Sequence, residues 1–208
     1  LVFPEGGVVP EDALATGHGL VISGGNFHGE PIALALDYAK LAIAEIGAIS
    51  ERRVALLLDP RLNDGLPAFL GTSSGLDSGL MILQYTAAAL ASESKTLAFP
   101  ASADSIPTSA NKEDHVSMGT IAARQCREVI ENTENVIAIE LLCATQALDL
   151  FTNLKPGEGT LEAYHEIRKT ISHLEKDRIL SEDIAAMKTL IRDATILRAV
   201  EKKVGELN

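Results

Sequence analysis

Residues 114–151 read DHVSMGTIAARQCREVIENTENVIAIELLCATQALDLF, and this stretch decides the fold. It holds no Pro and one Gly, Gly119, so nothing interrupts a helical backbone along its length. The expectation is one continuous helix of roughly 37 residues, which at 1.5 Å per residue would reach about 55 Å. That is longer than a compact domain of this size is wide, so such a helix packs in a bundle or across subunits. Cys126 and Cys143 both lie in it, several turns apart, too far to bridge each other. They read as two reduced thiols serving as small apolar residues.

Working outward, residues 100–113 form a polar loop on the N-terminal side. Before it, a second helix is expected from near Asp77 through Leu80, Ile82, Leu83 and Ala87 to Leu90, stopping before Pro100. Its Ala and Leu residues fall on nearly every side, the pattern of a buried helix. The segments 59–67 and 71–75 carry loop chemistry. Ser73, Ser74, Gly75, Asp77, Ser78 and Gly79 lack a nucleophile elbow and read as loop and capping residues. A first helix is expected from Pro31, well placed in a first turn, to about Arg52, with residues 54–58 extending it or packing separately. Residues 1–29 are rich in Gly, with Pro4 and Pro10, and predict loop and turn apart from a short strand at 20–22. On the C-terminal side three shorter helices are expected, at about 159–172, 181–193 and 195–206. The prediction is therefore an all-α chain in three regions. Residues 1–29 form a glycine-rich segment leading into the bundle, 30–151 the central long-helix bundle, and 152–208 a short-helix region.

The composition fits. Hydrophobic residues make up 46% of the 208 and aromatics 4%, with no Trp, so the core must be built of Ala, Leu, Ile and Val. With 18 basic against 29 acidic residues the formal charge is -11, which argues against a grip on nucleic acid or anionic lipid. The longest uncharged apolar run, 79–92, is too short to span a bilayer. No basic, apolar, small-residue signal opens the chain, and a cytoplasmic protein is expected. The chain begins at Leu1, in a loop-like stretch, as if cut from something longer.

Walker loops, a complete dinucleotide glycine pattern, Cys-x-x-Cys and His-Glu-x-x-His are all missing from the sequence. Two stretches place polar groups where their surroundings read as buried. In the first, 23–31, glycines permit tight backbone geometry just before a helix N-terminus, and Asn26, Phe27 and His28 could face a ligand. The alternative is a capped loop with Phe27 plugging the core. The second, 105–119, runs from Ser105 into the long helix, with Glu113, Asp114 and His115 expected in its first turn. Acids there complement the helix dipole, which gives Asp114 a structural reading. Adjacent residues point in different directions around a helix, so a metal site from these three is not expected. His18, His165 and His173 read as surface residues.

Five segments together resemble the histidine ammonia-lyase family. They are GGNFHGEP at 24–31, IAEIGAISERR at 43–53, QYTAAAL at 84–90, PASADSIPTSANKEDHVSMG at 100–119 and LKPGEGT at 154–160. The resemblance implies a mostly helical, cytoplasmic, homotetrameric enzyme whose central bundle is shared by four subunits and whose active sites draw on more than one chain. It implies elimination of ammonia from L-histidine to give trans-urocanate, using a methylidene-imidazolone electrophile made from an internal Ala-Ser-Gly. These 208 residues contain no Ala-Ser-Gly. The family's catalytic Tyr and carboxylate-binding Arg are likewise expected in an N-terminal portion, which would make that portion the partner and this chain inactive alone. It would be an excised piece, a proteolytic fragment or one subunit of a split enzyme.

The motifs carry two positions over. Phe27 is similar to the family residue that packs near the substrate side chain and the electrophile. Glu113 matches the active-site glutamate, a catalytic and substrate-binding residue whose expected task is recognising the substrate ring. Asn26, His28 and His115 are candidates for supporting hydrogen-bond donors behind them. An imidazole N–H can donate to the Glu113 carboxylate, whereas a phenyl ring has no donor and would leave the charge unpaired. A tyrosine ammonia-lyase or aminomutase, whose substrate is a phenol, is the alternative enzyme, and a non-catalytic helical assembly module the alternative outside catalysis. Lys112 stands where the family pattern has Gln. The link 6–20 looks longer than in the family and reads as a loop insertion.

Overall fold

The structure is a computed structural model that describes residues 28–72, 75–151 and 154–207. The strand expected at 20–22 and the glycine-rich link lie outside the described residues. Among those described there are six α-helices: α1 Glu30–Leu58, α2 Met81–Leu97, α3 Gly119–Leu150, α4 Glu158–Arg168, α5 Ser181–Arg192 and α6 Thr195–Val204. Short 3-10 turns occupy Ala68–Leu70 and Ala101–Ala103. The regular pairing outside helices is one isolated bridge between Thr108 and Glu113 among the described residues, so the chain is all-α as expected.

Helices α1 and α3 run parallel in a fixed register. Thr133 Oγ1 donates to Ile43 O (3.3 Å), Ser50 Oγ donates to Glu140 Oε2 (2.6 Å), and Gly29 abuts Gly119. In each of these pairs the α3 residue follows its α1 partner by the same offset along the chain. The buried residues explain the pairing. On α1 they are Ala33, Asp37, Lys40, Gly47, Ser50, Glu51, Val54 and Leu58; on α3 the seam includes Ala122, Cys126, Val129, Thr133, Val136 and Cys143. Steps of three and four residues alternate along both, a heptad-like seam of mostly small side chains that lets the axes approach closely. Helix α2 returns antiparallel to both: its C-terminal end meets α1 where Lys40 Nζ donates to Phe99 O, and Glu93 accepts from Asn132 of α3.

The apolar core sits at one end of this trio. Val54 and Leu58 of α1, Leu83 of α2, Ile139 and Leu142 of α3 and Met187 of α5 meet there with Leu66 and Leu70. Each such fully buried side chain contributes about 1.5–3 kcal/mol. Gly79 closes the turn ahead of α2 at a positive φ of 56°, its backbone N–H donating to Asp177 Oδ1 at 2.9 Å. Ser78 N–H donates to the other oxygen of the same carboxylate, 2.7 Å away; the described part of this segment is loop, as expected, but no side chain of it caps α2, whose N-cap is Leu80.

Of the two alternatives for residues 54–58, extension holds: they continue α1 without a break. Three expectations need correction. Helix α2 is not buried all round: it starts at Met81, and Ile82 and Tyr85 are exposed because one stripe alone, through Leu83 and Ala87, has a partner within the chain. Helix α3 begins at Gly119, so Glu113, Asp114 and His115 lie before it and its first turn carries no acid. Met118 at φ 54° turns the backbone left-handed there and ends the loop. His173 is not simply a surface residue. Its Nδ1 lies 2.7 Å from Asp149 Oδ2, in a cluster where Asp149 also accepts from Tyr164 Oη (2.6 Å) and from Arg168. Burial alone would raise the Asp149 carboxyl, but those three partners hold it below its ordinary value.

Cys126 and Cys143 are both free and buried in α3, as expected. Burial, helped by the charge of Glu140, pushes the Cys143 thiol far up, which keeps it inert. No helix among the described residues is long and apolar enough to cross a membrane.

Candidate functional site

The end of the bundle opposite the apolar core is where the two singled-out motifs meet. Helix α1 starts there because Pro31 suits a first turn, and Ala33 N–H closes it on Gly29 O at 2.8 Å. Gly29 has no side chain to cap with. His28 does that work instead, its Nδ1 accepting the Glu30 backbone N–H at 3.2 Å. Gly119, the first residue of α3, packs against Gly29, so the two helix starts lie side by side.

The loop 98–118 folds over these helix starts as a closed arm. Thr108 and Glu113 exchange two backbone hydrogen bonds, 3.0 and 3.3 Å long. Ser109, Ala110 and Asn111 turn between them with φ of 54°, 55° and 68°, a left-handed run that side chains other than Gly resist. Val116 N–H donates to Ser105 Oγ (2.8 Å), which zips the arm together lower down. The result carries Glu113 outward, exposed in this chain, with Lys112 and Asp114 exposed on either side.

His115 reaches back to α1. Its ring centroid stands 5.1 Å from that of His28, and its Nε2 lies 3.6 Å from Glu30 Oε2, a buried oxygen without a hydrogen-bond donor. The structure thus brings together the last residue of Asn26-Phe27-His28 and the last of Glu113-Asp114-His115. Asn26 and Phe27 themselves lie outside the described residues. Among the described residues no group of three or more His, Cys, Asp and Glu is arranged to hold a metal ion.

Sequence reading missed the base of the arm. Lys40, with 0% of its surface exposed, donates to Phe99 O at 2.8 Å and to Gln125 Oε1 at 2.6 Å, and pairs with Asp37 Oδ1 at 2.8 Å. The other Asp37 oxygen accepts the Ser102 N–H (2.8 Å) and hydroxyl (2.6 Å). Burial by itself raises the Asp37 carboxyl; the Lys40 ammonium and the two Ser102 donors overcome it and hold the group at about 2. The one signal that could have found this pair is its place on the seam: Asp37 and Lys40 fall on the stripe set by Ala33, Gly47 and Val54.

This arrangement can present a carboxylate, Glu113, on a fastened arm beside a helix start, where it can accept a hydrogen bond from a ligand N–H or O–H. Among the described residues it offers no nucleophile paired with a base and no electrophile.

Comparison with known proteins agrees with the motifs. The family model for aromatic amino acid lyases matches residues 8–169. The histidine ammonia-lyase of Natranaerobius thermophilus is 55% identical over 187 residues, covering 90% of this chain and 37% of the relative. That of Symbiobacterium thermophilum is 56% identical over 187 residues, again 90% and 37%. Among solved structures, histidine ammonia-lyase from Trypanosoma cruzi superposes with a TM-score of 0.83 at 47% identity, covering 88% of this chain and 36% of that one. Tyrosine aminomutase from Streptomyces globisporus also reaches 0.83, at 35% identity over 88% and 35%. The chain spans little more than a third of the length of the relatives it matches.

Proposed function

The chain belongs to the aromatic amino acid lyase family, and from that membership we propose that it is the C-terminal portion of a histidine ammonia-lyase, an enzyme that eliminates ammonia from L-histidine to give trans-urocanate. The observation that carries the reading is the 5.1 Å approach of His28 and His115, which joins the Phe27 and Glu113 motifs at one end of the bundle. The relatives at 55% and 56% identity are named histidine ammonia-lyases and support the substrate.

In this reading Glu113 accepts a hydrogen bond from the substrate imidazole N–H, fixing the ring, and Phe27 packs beside it. The exposure of Glu113 in the single chain is what a composite site requires: the carboxylate is offered to a pocket that other polypeptide completes. Elimination needs the loss of a poorly acidic β-proton and the departure of an amine, and the methylidene-imidazolone of the complete enzyme supplies the electrophile that activates the substrate. The residues here cannot make that group, since they include no Ala-Ser-Gly. This chain alone is therefore inactive, and the N-terminal portion is its first partner.

A tetramer of the complete enzyme is supported by the faces this chain leaves uncovered. Ile32, Leu34, Tyr38 and Ile46 of α1 and Ile82 and Tyr85 of α2 are each more than half exposed, at 53% to 77%. An apolar surface of that extent fits burial against further protein. A cytoplasmic location is part of the same reading.

The test is to combine the purified chain with the N-terminal portion of the enzyme and to follow urocanate by its ultraviolet absorbance, with L-histidine and L-tyrosine supplied side by side. Urocanate from histidine is the expected result. Turnover of tyrosine alone would select the aminomutase or tyrosine lyase reading, favoured by the likeness to tyrosine aminomutase. Assembly without turnover of either would leave a helical assembly module.

A further inference from the structure

Glu30 and Asp37 stand seven residues apart on α1, two turns along one stripe and so about 10 Å from each other along the axis. Each engages the same arm. Asp37 holds Ser102 at the base, where its partner Lys40 also takes the Phe99 carbonyl, and Glu30 stands against His115 just past Glu113. Between these two points the arm is closed on itself by the Ser105–Val116 and Thr108–Glu113 hydrogen bonds. Fixing its base and its far end therefore fixes the point from which the Glu113 side chain projects.

We propose that Asp37 and Lys40, with Glu30 as a second fastening, are positioning residues that set where the Glu113 carboxylate stands in the assembled active site. This rests on the reading of Glu113 as the group that recognises the substrate ring. The physical reason lies in what a buried ion pair supplies. Burying two charges costs most of what their attraction returns, so an apolar pair of similar volume would hold the helices together as well. What the ions add is direction. The Lys40 ammonium, fully buried, donates to acceptors on two separate segments, Phe99 after α2 and Gln125 on α3, and has its counter-charge, Asp37 on α1, at 2.8 Å. A shift of the arm's base takes the Phe99 carbonyl and the Ser102 donors away from this buried pair and leaves its charges short of partners.

The test uses the complete enzyme. The double variant Asp37→Asn with Lys40→Met removes both charges, keeps an acceptor for Ser102 and keeps a straight apolar side chain in the space of the lysine stem. Its thermal midpoint is expected to stay near that of the parent. Its kcat/KM for L-histidine falls by about 10- to 100-fold, the scale set by misplacing a binding group by about 1 Å, with the larger share in KM. Adding Glu113→Gln to this background costs less than it costs in the parent, since a misplaced carboxylate has less to lose. Parental kinetics in the folded double variant, or an undiminished cost of Glu113→Gln in it, overturns the proposal.

Should the double variant fail to fold, Glu30→Gln replaces it, because that side chain is partly exposed at the start of a helix. It raises KM by about 2- to 5-fold, as for the loss of one weak, partly exposed polar contact, with the same weakened coupling to Glu113; no change in either overturns the proposal. Glu113→Gln in the otherwise intact enzyme separates the two readings. If it leaves histidine turnover unaltered, the functional reading falls and this one with it. If it lowers turnover while the α1 variants do not, this inference alone falls.

Discussion

His28 and His115 meet with their ring centroids 5.1 Å apart and their planes tilted by 45°, although one precedes α1 and the other precedes α3. This contact brings together the two motifs to which the proposed function assigns substrate recognition, so the chemistry next to it is the first thing to probe. Glu113→Gln keeps the size of the side chain and removes its charge. If Glu113 accepts from the substrate ring as proposed, loss of that charge-assisted hydrogen bond, about 1.5–3 kcal/mol, is expected to lower kcat/KM of the complete enzyme for L-histidine by about 10- to 100-fold. The backbone pairing of Glu113 with Thr108 is untouched, so assembly, read by size-exclusion chromatography, stays as in the parent.

Gly79→Ala destabilises the fold. A methyl group on Gly79 would stand 2.6 Å from Phe69 O and 3.0 Å from Gly71 Cα, all backbone, and the residue sits at φ 56°. Neither neighbour can swing away as a side chain would. The expected loss is about 2–4 kcal/mol, seen as a lower midpoint in urea or thermal unfolding.

Acid weakens the chain partly through Asp37. Its folded value, about 2, lies below its ordinary value of 3.8, so the charged form is favoured by folding. That stability is fully present above the ordinary value and drains away as pH falls through the range down to about 2. Asp37→Asn is less stable than the parent at neutral pH, because Lys40 loses its counter-charge, yet it loses less between pH 4 and 2. Urea midpoints measured across that range should converge.

Ala194 joins α5 to α6 at φ 50°, a left-handed turn that a Cβ disfavours. Its N–H and carbonyl are both bonded, to Ile191 O and from Arg198 N–H, so the conformation is held. Ala194→Gly removes the clash at some cost in chain entropy and is expected to raise stability by about 0.5–1 kcal/mol. Calorimetric unfolding of the two proteins, compared directly, checks the sign.

Much of the helical architecture is legible in the residues. The run from Gly119 to Leu150 lacks breakers, Pro31 marks a first turn, and the polar stretches at 59–67 and 100–113 carry turn chemistry, all of which local propensity governs. Local rules failed where two segments compete. Glu113, Asp114 and His115 look like a first turn, but the Thr108–Glu113 pairing and the left-handed Met118 take that stretch of backbone away from α3. His173, in the loop after α4, looks like a surface residue until Asp149 of α3 comes within 2.7 Å of it.

Burial is where the division is sharpest. The sequence by itself determined that the chain is helical, where the long helices run, which polar loops flank them and which family's motifs they carry, because these depend on neighbours along the chain. Which face of each helix turns inward was decided by tertiary structure alone. On α1 the large apolar residues Ile32, Tyr38 and Ile46 stay outside while Asp37 and Lys40 go in, since the close parallel contact with α3 admits small residues and a satisfied ion pair along one heptad stripe. A polar side chain is buried when its partners are waiting, and those partners, Phe99, Ser102 and Gln125, are remote in sequence and near only in the fold.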